Sequence, residues 1–197
     1  MMNDVRRRIL DASVALVQEQ GVRAVSFREV ARRAGVSHQT PYHHFGHHEG
    51  ILRAIAEDGF TALQERMEQA VAAAGENVQE QLTASGVAYV AFALDHPGHF
   101  RVMFQRHLAG AMDDERCKSP GTLVPEYLLS LSEAAHRAGH GAPMDAQTLA
   151  LLCWSTVHGL ATLLTEGALP MTLAGDSVAL TNRVVRSLDM LLRRPEL

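Results

Sequence analysis

The chain has 197 residues, 47% hydrophobic and 20% charged, a balance ordinary for a soluble globular protein and long enough for one large or two small cores. No apolar run approaches the roughly 20 residues a bilayer-spanning helix needs, and the start MMNDVRRRIL is too charged for a secretory signal. The net charge of −4 hides a division: residues 1–53 carry eight Arg against five Asp and Glu, giving +3, and the remainder carries −7. Positive charge is thus concentrated at one end, as a protein that displaces counterions from DNA requires. Two cysteines, Cys117 and Cys153, with no export signal, imply free thiols in a reducing cytoplasm.

Taken in order, the apolar residues recur at helical spacing throughout, and no stretch alternates as a strand. The predicted class is all-α. A first helix runs from Asp4 to Gln20 through Val5, Ile9, Ala12, Leu16 and Val17, with Gly21 as its stop. Two short helices follow within 26–45. A long one runs from about His48 to Ala74, with Gly59 inside it as a weak point or a close-packing site. Residues 77–95 form an apolar helix ended by His96-Pro97-Gly98, and a short helical piece holds Phe100, Val102, Met103 and Phe104. Residues 109–121 read as a loop, and a helix runs from about Leu123 to Ala138. The last two helices, 145–166 and 177–192, are long and apolar.

The stretch from Ser26 to Phe45, SFREVARRAGVSHQTPYHHF, organises the chain. Ser26 is an N-cap residue, with Glu29 three positions later in the reciprocal capping pattern. Val30, Ala31 and Ala34 share one apolar face, and Gly35 suits a helix stop because it takes positive φ freely. Val36 plugs the corner, and Ser37 is the expected N-cap of a second, polar helix. This is a helix-turn-helix layout, in which the second helix enters the major groove. With Val30-Ala31-Arg32-Arg33-Ala34-Gly35-Val36-Ser37 and Tyr42-His43-His44-Phe45, the run from Ser26 to Leu52 resembles the DNA-binding domain of the TetR family of bacterial regulators.

The resemblance implies an N-terminal three-helix helix-turn-helix domain over 1–47 and a helical effector-binding and dimerisation domain over 48–197. Carried over by position, Gln39, Thr40 and His43 face bases, while Ser26, Arg28, His38, Tyr42, His44 and His48 face phosphates. Two residues depart from the family pattern: Pro41 stands where an aliphatic residue is usual, and His48 where a lysine is usual. Proline suits only the first turn of the recognition helix, and a neutral imidazole binds phosphate less firmly than a lysine.

Trp154, His158 and Gly159 form a W-x-x-x-H-G string that resembles one C-terminal subgroup of the same family. The i, i+4 spacing puts Trp154 and His158 on one helix face, either as a pocket wall or as packed core. The candidate pocket residues are Tyr89, Phe92, Met103, Phe104, His107, Trp154 and His158. The implied partners are a double-stranded operator, a small-molecule effector and a second copy of the chain, joined through the last two helices. No membrane association, cofactor, metal site or catalytic residue is expected.

The spacing of His43/His47 and His44/His48 is weighed as a metal site and set below a DNA-facing histidine cluster. The principal expectation is a cytoplasmic transcriptional repressor released by its ligand. One alternative is a ligand-binding or interaction dimer whose head has lost DNA binding, motivated by Pro41 and His48. The other is an enzyme in the helical body, for which no nucleophile elbow, phosphate loop or dinucleotide turn is found.

Overall fold

The computed structural model describes residues 2–105, 120–141, 143–170, 172–173 and 175–192. The predicted pocket residue His107, the thiol of Cys117 and most of the expected 109–121 loop lie outside the described residues. The architecture is all-α: α1 (Met2–Gln20), α2 (Phe27–Ala34), α3 (Thr40–Phe45), α4 (His48–Ala73), α5 (Val78–Asp95), α6 (Pro97–Met103), α7 (Pro120–Arg137), α8 (Ala146–Thr165) and α9 (Ser177–Leu192), with a 3-10 turn over Val22–Ala24. No strand occurs among the described residues.

Local chemistry explains most of these boundaries. Asn77 Oδ1 accepts the N–H groups of Gln79 and Glu80 at 3.0 and 3.2 Å and starts α5. Asp145 accepts from the Thr148 N–H at 2.7 Å and starts α8, and that bond holds its carboxyl below the usual range. Gly21 takes φ 84° as the chain leaves α1.

The chain forms two compact units, Met1–Thr61 with His96–Gly121, and Ala62–Asp95 with Thr122–Leu197. This division by packing differs from the functional division expected at 47/48, because α6 packs on α1 and joins the first unit.

In the first unit Ile9, Leu16 and Val17 of α1 are buried with Phe27 and Val30 of α2, Phe45 of α3 and Ile51, Leu52 and Ile55 of α4. Gly59 is a close-packing site: a Cβ there would stand 2.7 Å from Met103 Sδ and 3.1 Å from His99 Cβ. In the second unit α5 packs chiefly on α8 and α9. Its core includes Ala135, Leu149 and Cys153, flanked by half-buried Val78, Leu82, Leu188 and Leu192.

Candidate functional site

The head is built from α2 and α3. Ser26 Oγ accepts from the Glu29 N–H at 3.3 Å, as expected of its capping role. The reciprocal half of the capping box is not among the bonds Glu29 makes. Its carboxylate instead accepts from Arg32 at 2.6 Å and Arg33 at 2.9 Å, and those two bonds hold its pKa down at about 2. Arg33 also binds Glu19 of α1 at 2.8 Å, tying α2 to α1.

Gly35 closes α2 in the left-handed region, φ 63° and ψ 41°, and the Val36 N–H returns to the Ala31 carbonyl at 3.0 Å. Arg8 donates to the carbonyls of Ala34 and Gly35, so a side chain of α1 completes the stop.

The expected N-cap of α3 shifts. Regular helix begins at Thr40, and Ser37 Oγ hydrogen-bonds the Thr40 hydroxyl at 2.7 Å, so it bridges the entering turn rather than capping a backbone N–H. Pro41 lies in the first turn and is buried, where its missing N–H removes no intrahelical bond. Phe45 is buried too, with the Arg6 guanidinium 5.2 Å from its ring centre.

Burying Pro41 and Phe45 turns the opposite face outward. His38, Gln39, Tyr42 and His43 are exposed, and Thr40 and His44 are half-buried. Tyr42 is held by an edge-to-face contact with Phe27, ring centres 4.2 Å apart.

Of the remaining candidates on the head, Ser26, Arg28 and His48 are exposed, Ser26 at the start of α2 and His48 at the start of α4. Arg28 makes no ion pair among the described residues, in contrast to Arg32 and Arg33. Two other arginines of the first unit are engaged: Arg7 binds Asp11 at 2.8 Å and Asp58 at 3.3 Å, and Arg8 holds the end of α2. Gly50 permits the tight step from α3 to α4, since a Cβ there would collide with the Phe45 carbonyl oxygen. The His47 Nδ1 accepts from the Gly50 N–H at 3.2 Å.

The second unit contains a small apolar cavity of about 20 Å³, reached by side chains of α4, α5, α7 and α8. Of the residues chosen from sequence, Tyr89 and Trp154 line it. The Trp154 indole N–H donates to the Tyr89 oxygen at 3.3 Å, and that hydroxyl hydrogen-bonds His158 Nδ1 at 2.9 Å. Burial lowers the His158 pKa and raises that of Tyr89, so both are uncharged at neutral pH.

Phe92 is fully buried. Met103 and Phe104 belong to the other unit, where Met103 packs against Gly59 and Phe104 stacks edge-on with Phe60 and Phe100. The aliphatic walls Leu82, Val124, Leu128 and Val157, with Ser85, Gly86 and Cys153, were missed from sequence. They carry no residue-type signal that separates a cavity wall from core.

Two family models match the chain. One, described as bacterial regulatory proteins of the tetR family, covers residues 9–55, and the other, a tetracyclin repressor-like C-terminal domain, covers residues 82–188. The chain belongs to the TetR family.

Among relatives, the HTH-type transcriptional regulator BetI of Rhizobium meliloti (strain 1021) is 35% identical over 95 residues, 48% of this chain and 45% of that protein. The chain thus matches the curated relatives over less than half of their own length. A protein of unknown function from Rhodococcus sp. RHA1 has the same fold at TM-score 0.77 and 28% identity, covering 96% of both chains. The transcriptional regulator FadR of Bacillus subtilis, solved in complex with stearoyl-CoA, superposes with TM-score 0.75 at 19% identity, over 92% of this chain and 96% of that one. At that identity the second structure shows the fold alone.

Proposed function

We propose that this TetR-family protein is a dimeric DNA-binding transcriptional regulator, a repressor released from its operator by a small-molecule ligand. The observation that carries the reading is the division of α3 and its N-cap into a buried anchor, Pro41 and Phe45, and an outward polar face, Gln39, Tyr42 and His43, with half-buried Thr40 at its edge. A helix anchored this way presents amide, hydroxyl and imidazole groups to base edges. Gln39, Thr40 and His43 read bases, while Ser26, Arg28, His38, Tyr42, His44 and His48 contact phosphate. Pro41 gives no ground for an inactive head, since its place in the first turn costs α3 no hydrogen bond.

The second unit supplies the effector site around Tyr89, Trp154 and His158. It also supplies the dimer face, through Leu151, Leu152 and Leu163 of α8 and Val178, Met190 and Leu191 of α9, which are exposed large apolar side chains. Two heads related by a two-fold axis then meet half-sites a helical turn, or a multiple of it, apart. The ligand shifts operator binding only by its differential affinity for the DNA-competent and released arrangements. The protein acts in the cytoplasm, where its DNA is.

The test is Gln39→Ala, assayed by fluorescence anisotropy on the cognate operator and on random duplex. Selective loss on the operator of about 1–3 kcal/mol supports base reading by this residue. Equal loss on both duplexes contradicts it.

A further inference from the structure

We propose that the cavity of the second unit takes a small, uncharged, largely apolar ligand bearing one hydroxyl or carbonyl group, which hydrogen-bonds Ser85. The proposal rests on the reading of this cavity as the effector site and adds the chemistry of the effector.

The described lining holds no charged side chain. Its hydrogen-bonding groups are the Trp154 indole, the Tyr89 hydroxyl, the Ser85 hydroxyl and the Cys153 thiol. Burial pushes the Cys153 thiol up to about 11, so it stays protonated. The indole and the Tyr89 hydroxyl already serve each other and His158. Ser85 is 1% exposed, and among the described residues no hydrogen bond engages its hydroxyl. A buried hydroxyl without a partner leaves hydrogen-bonding capacity unmet, and a ligand oxygen at that point satisfies it.

An ionised ligand would instead give up its hydration with no opposite charge on the described lining of this cavity to meet it, which is the costliest exchange a buried site can make. Against this described lining, carboxylates, phosphates and ammonium ions are disfavoured, whatever the shape of their apolar part.

Size adds a second constraint. About 20 Å³ holds little more than one water. A neighbouring void of about 30 Å³ shares the walls Leu82, Gly86, Cys153 and Val157 and extends toward Val185, Leu188 and Asp189, whose carboxylate is already hydrogen-bonded by the Gln79 amide at 2.6 and 2.7 Å. The voids adjoin at Gly86, where a Cβ would meet Val157 and Val185 methyl groups at 3.2 and 3.3 Å. Any ligand larger than water must spread α5, α7 and α8, so occupancy selects a different helix arrangement. That is the differential affinity ligand release demands.

Trp154 is the single tryptophan of the chain and lines the cavity, so its emission reports occupancy directly. The full-length protein is titrated with 1-octanol, octanoate and octylamine at pH 7.5, with operator affinity measured on the same preparation. The expected result is a saturable change with 1-octanol and binding at least tenfold weaker for octanoate and octylamine. Ser85→Ala is expected to weaken 1-octanol several-fold, and an unchanged melting profile excludes misfolding as the cause.

Octanoate or octylamine binding as tightly as 1-octanol overturns the proposal. So does the absence of a saturable signal with 1-octanol up to its solubility. Either failure with operator binding intact refutes this ligand chemistry and leaves the DNA-binding reading standing. Saturable 1-octanol binding in a protein that binds no operator supports the cavity chemistry and refutes the regulator.

Discussion

Arg28 and Arg32 are one helical turn apart on α2 and carry the same charge, yet their surroundings give them different work. Arg32 is bonded to Glu29 at 2.6 Å, while Arg28 is exposed with no ion pair among the described residues. A guanidinium without a carboxylate keeps its full attraction for phosphate. Arg28→Ala is therefore expected to weaken operator and random duplex alike and to lower the salt-dependence slope by about one. Arg32→Ala should do much less, and the reverse order in a salt titration would contradict the assignment.

Protonation gives a second residue-level prediction. Burial holds the imidazoles of His99 and His158 below their ordinary value of 6.5, and for His99 the Asp58 carboxylate, 3.3 Å away, only partly offsets it. The folded state thus binds fewer protons than the unfolded chain just below pH 6.5. The stabilisation from the neutral imidazoles is present above 6.5 and is lost as pH falls through their folded values. The melting temperature is expected to decline from pH 7.5 to 5.5, and His99→Gln should make that decline shallower. An unchanged decline in the variant would rule out His99 as a contributor.

Helix ends are where local chemistry is easiest to read. Ser26, Asp145, Gly21 and Gly35 mark boundaries within a residue or two of those observed, because each cap is decided by its own atoms. Ser26→Ala should cost about 1 kcal/mol of stability in denaturant unfolding. Ser37 was harder, since its hydroxyl found the Thr40 side chain in place of a backbone N–H.

Gly50 and Gly59 illustrate what sequence withholds. Their role depends on the Phe45 carbonyl and on Met103, which only the folded chain brings close. Gly50→Ala should destabilise the head, in contrast to the gain that alanine brings to an open helix position. Apart from Tyr89 and Trp154, the cavity wall lay beyond reach for the same reason. Aromatic side chains stand out in a sequence, but Met103 and Phe104 went into the packing around Gly59, Phe60 and Phe100. Leu82, Val124 and Val157 became walls through helix placement alone.

At the scale of the molecule the exposed apolar side chains of α8 and α9 call for a partner. The sequence shows these two helices simply as long and apolar. In the fold Leu149, Cys153 and Leu160 of α8 turn inward, while Leu151, Leu152 and Leu163 stay exposed. By length and composition alone α8 is also long and apolar enough to cross a bilayer, although Thr148, Ser155, Thr156 and His158 interrupt its apolar run. Its buried inner face and the similar exposed residues on α9 fit pairing with a second copy instead. Leu152→Glu combined with Leu163→Glu is expected to shift the protein to monomer in sedimentation velocity and to weaken operator binding with it. A variant that remains dimeric would place the interface elsewhere.

Whether the outward α3 face reads DNA is tested by binding of the purified protein to the duplex upstream of its own gene across a salt series. A random duplex of equal length serves as the reference. Tighter binding to the upstream duplex is expected, with affinity falling steeply as salt rises. No binding to either duplex at low salt would contradict it.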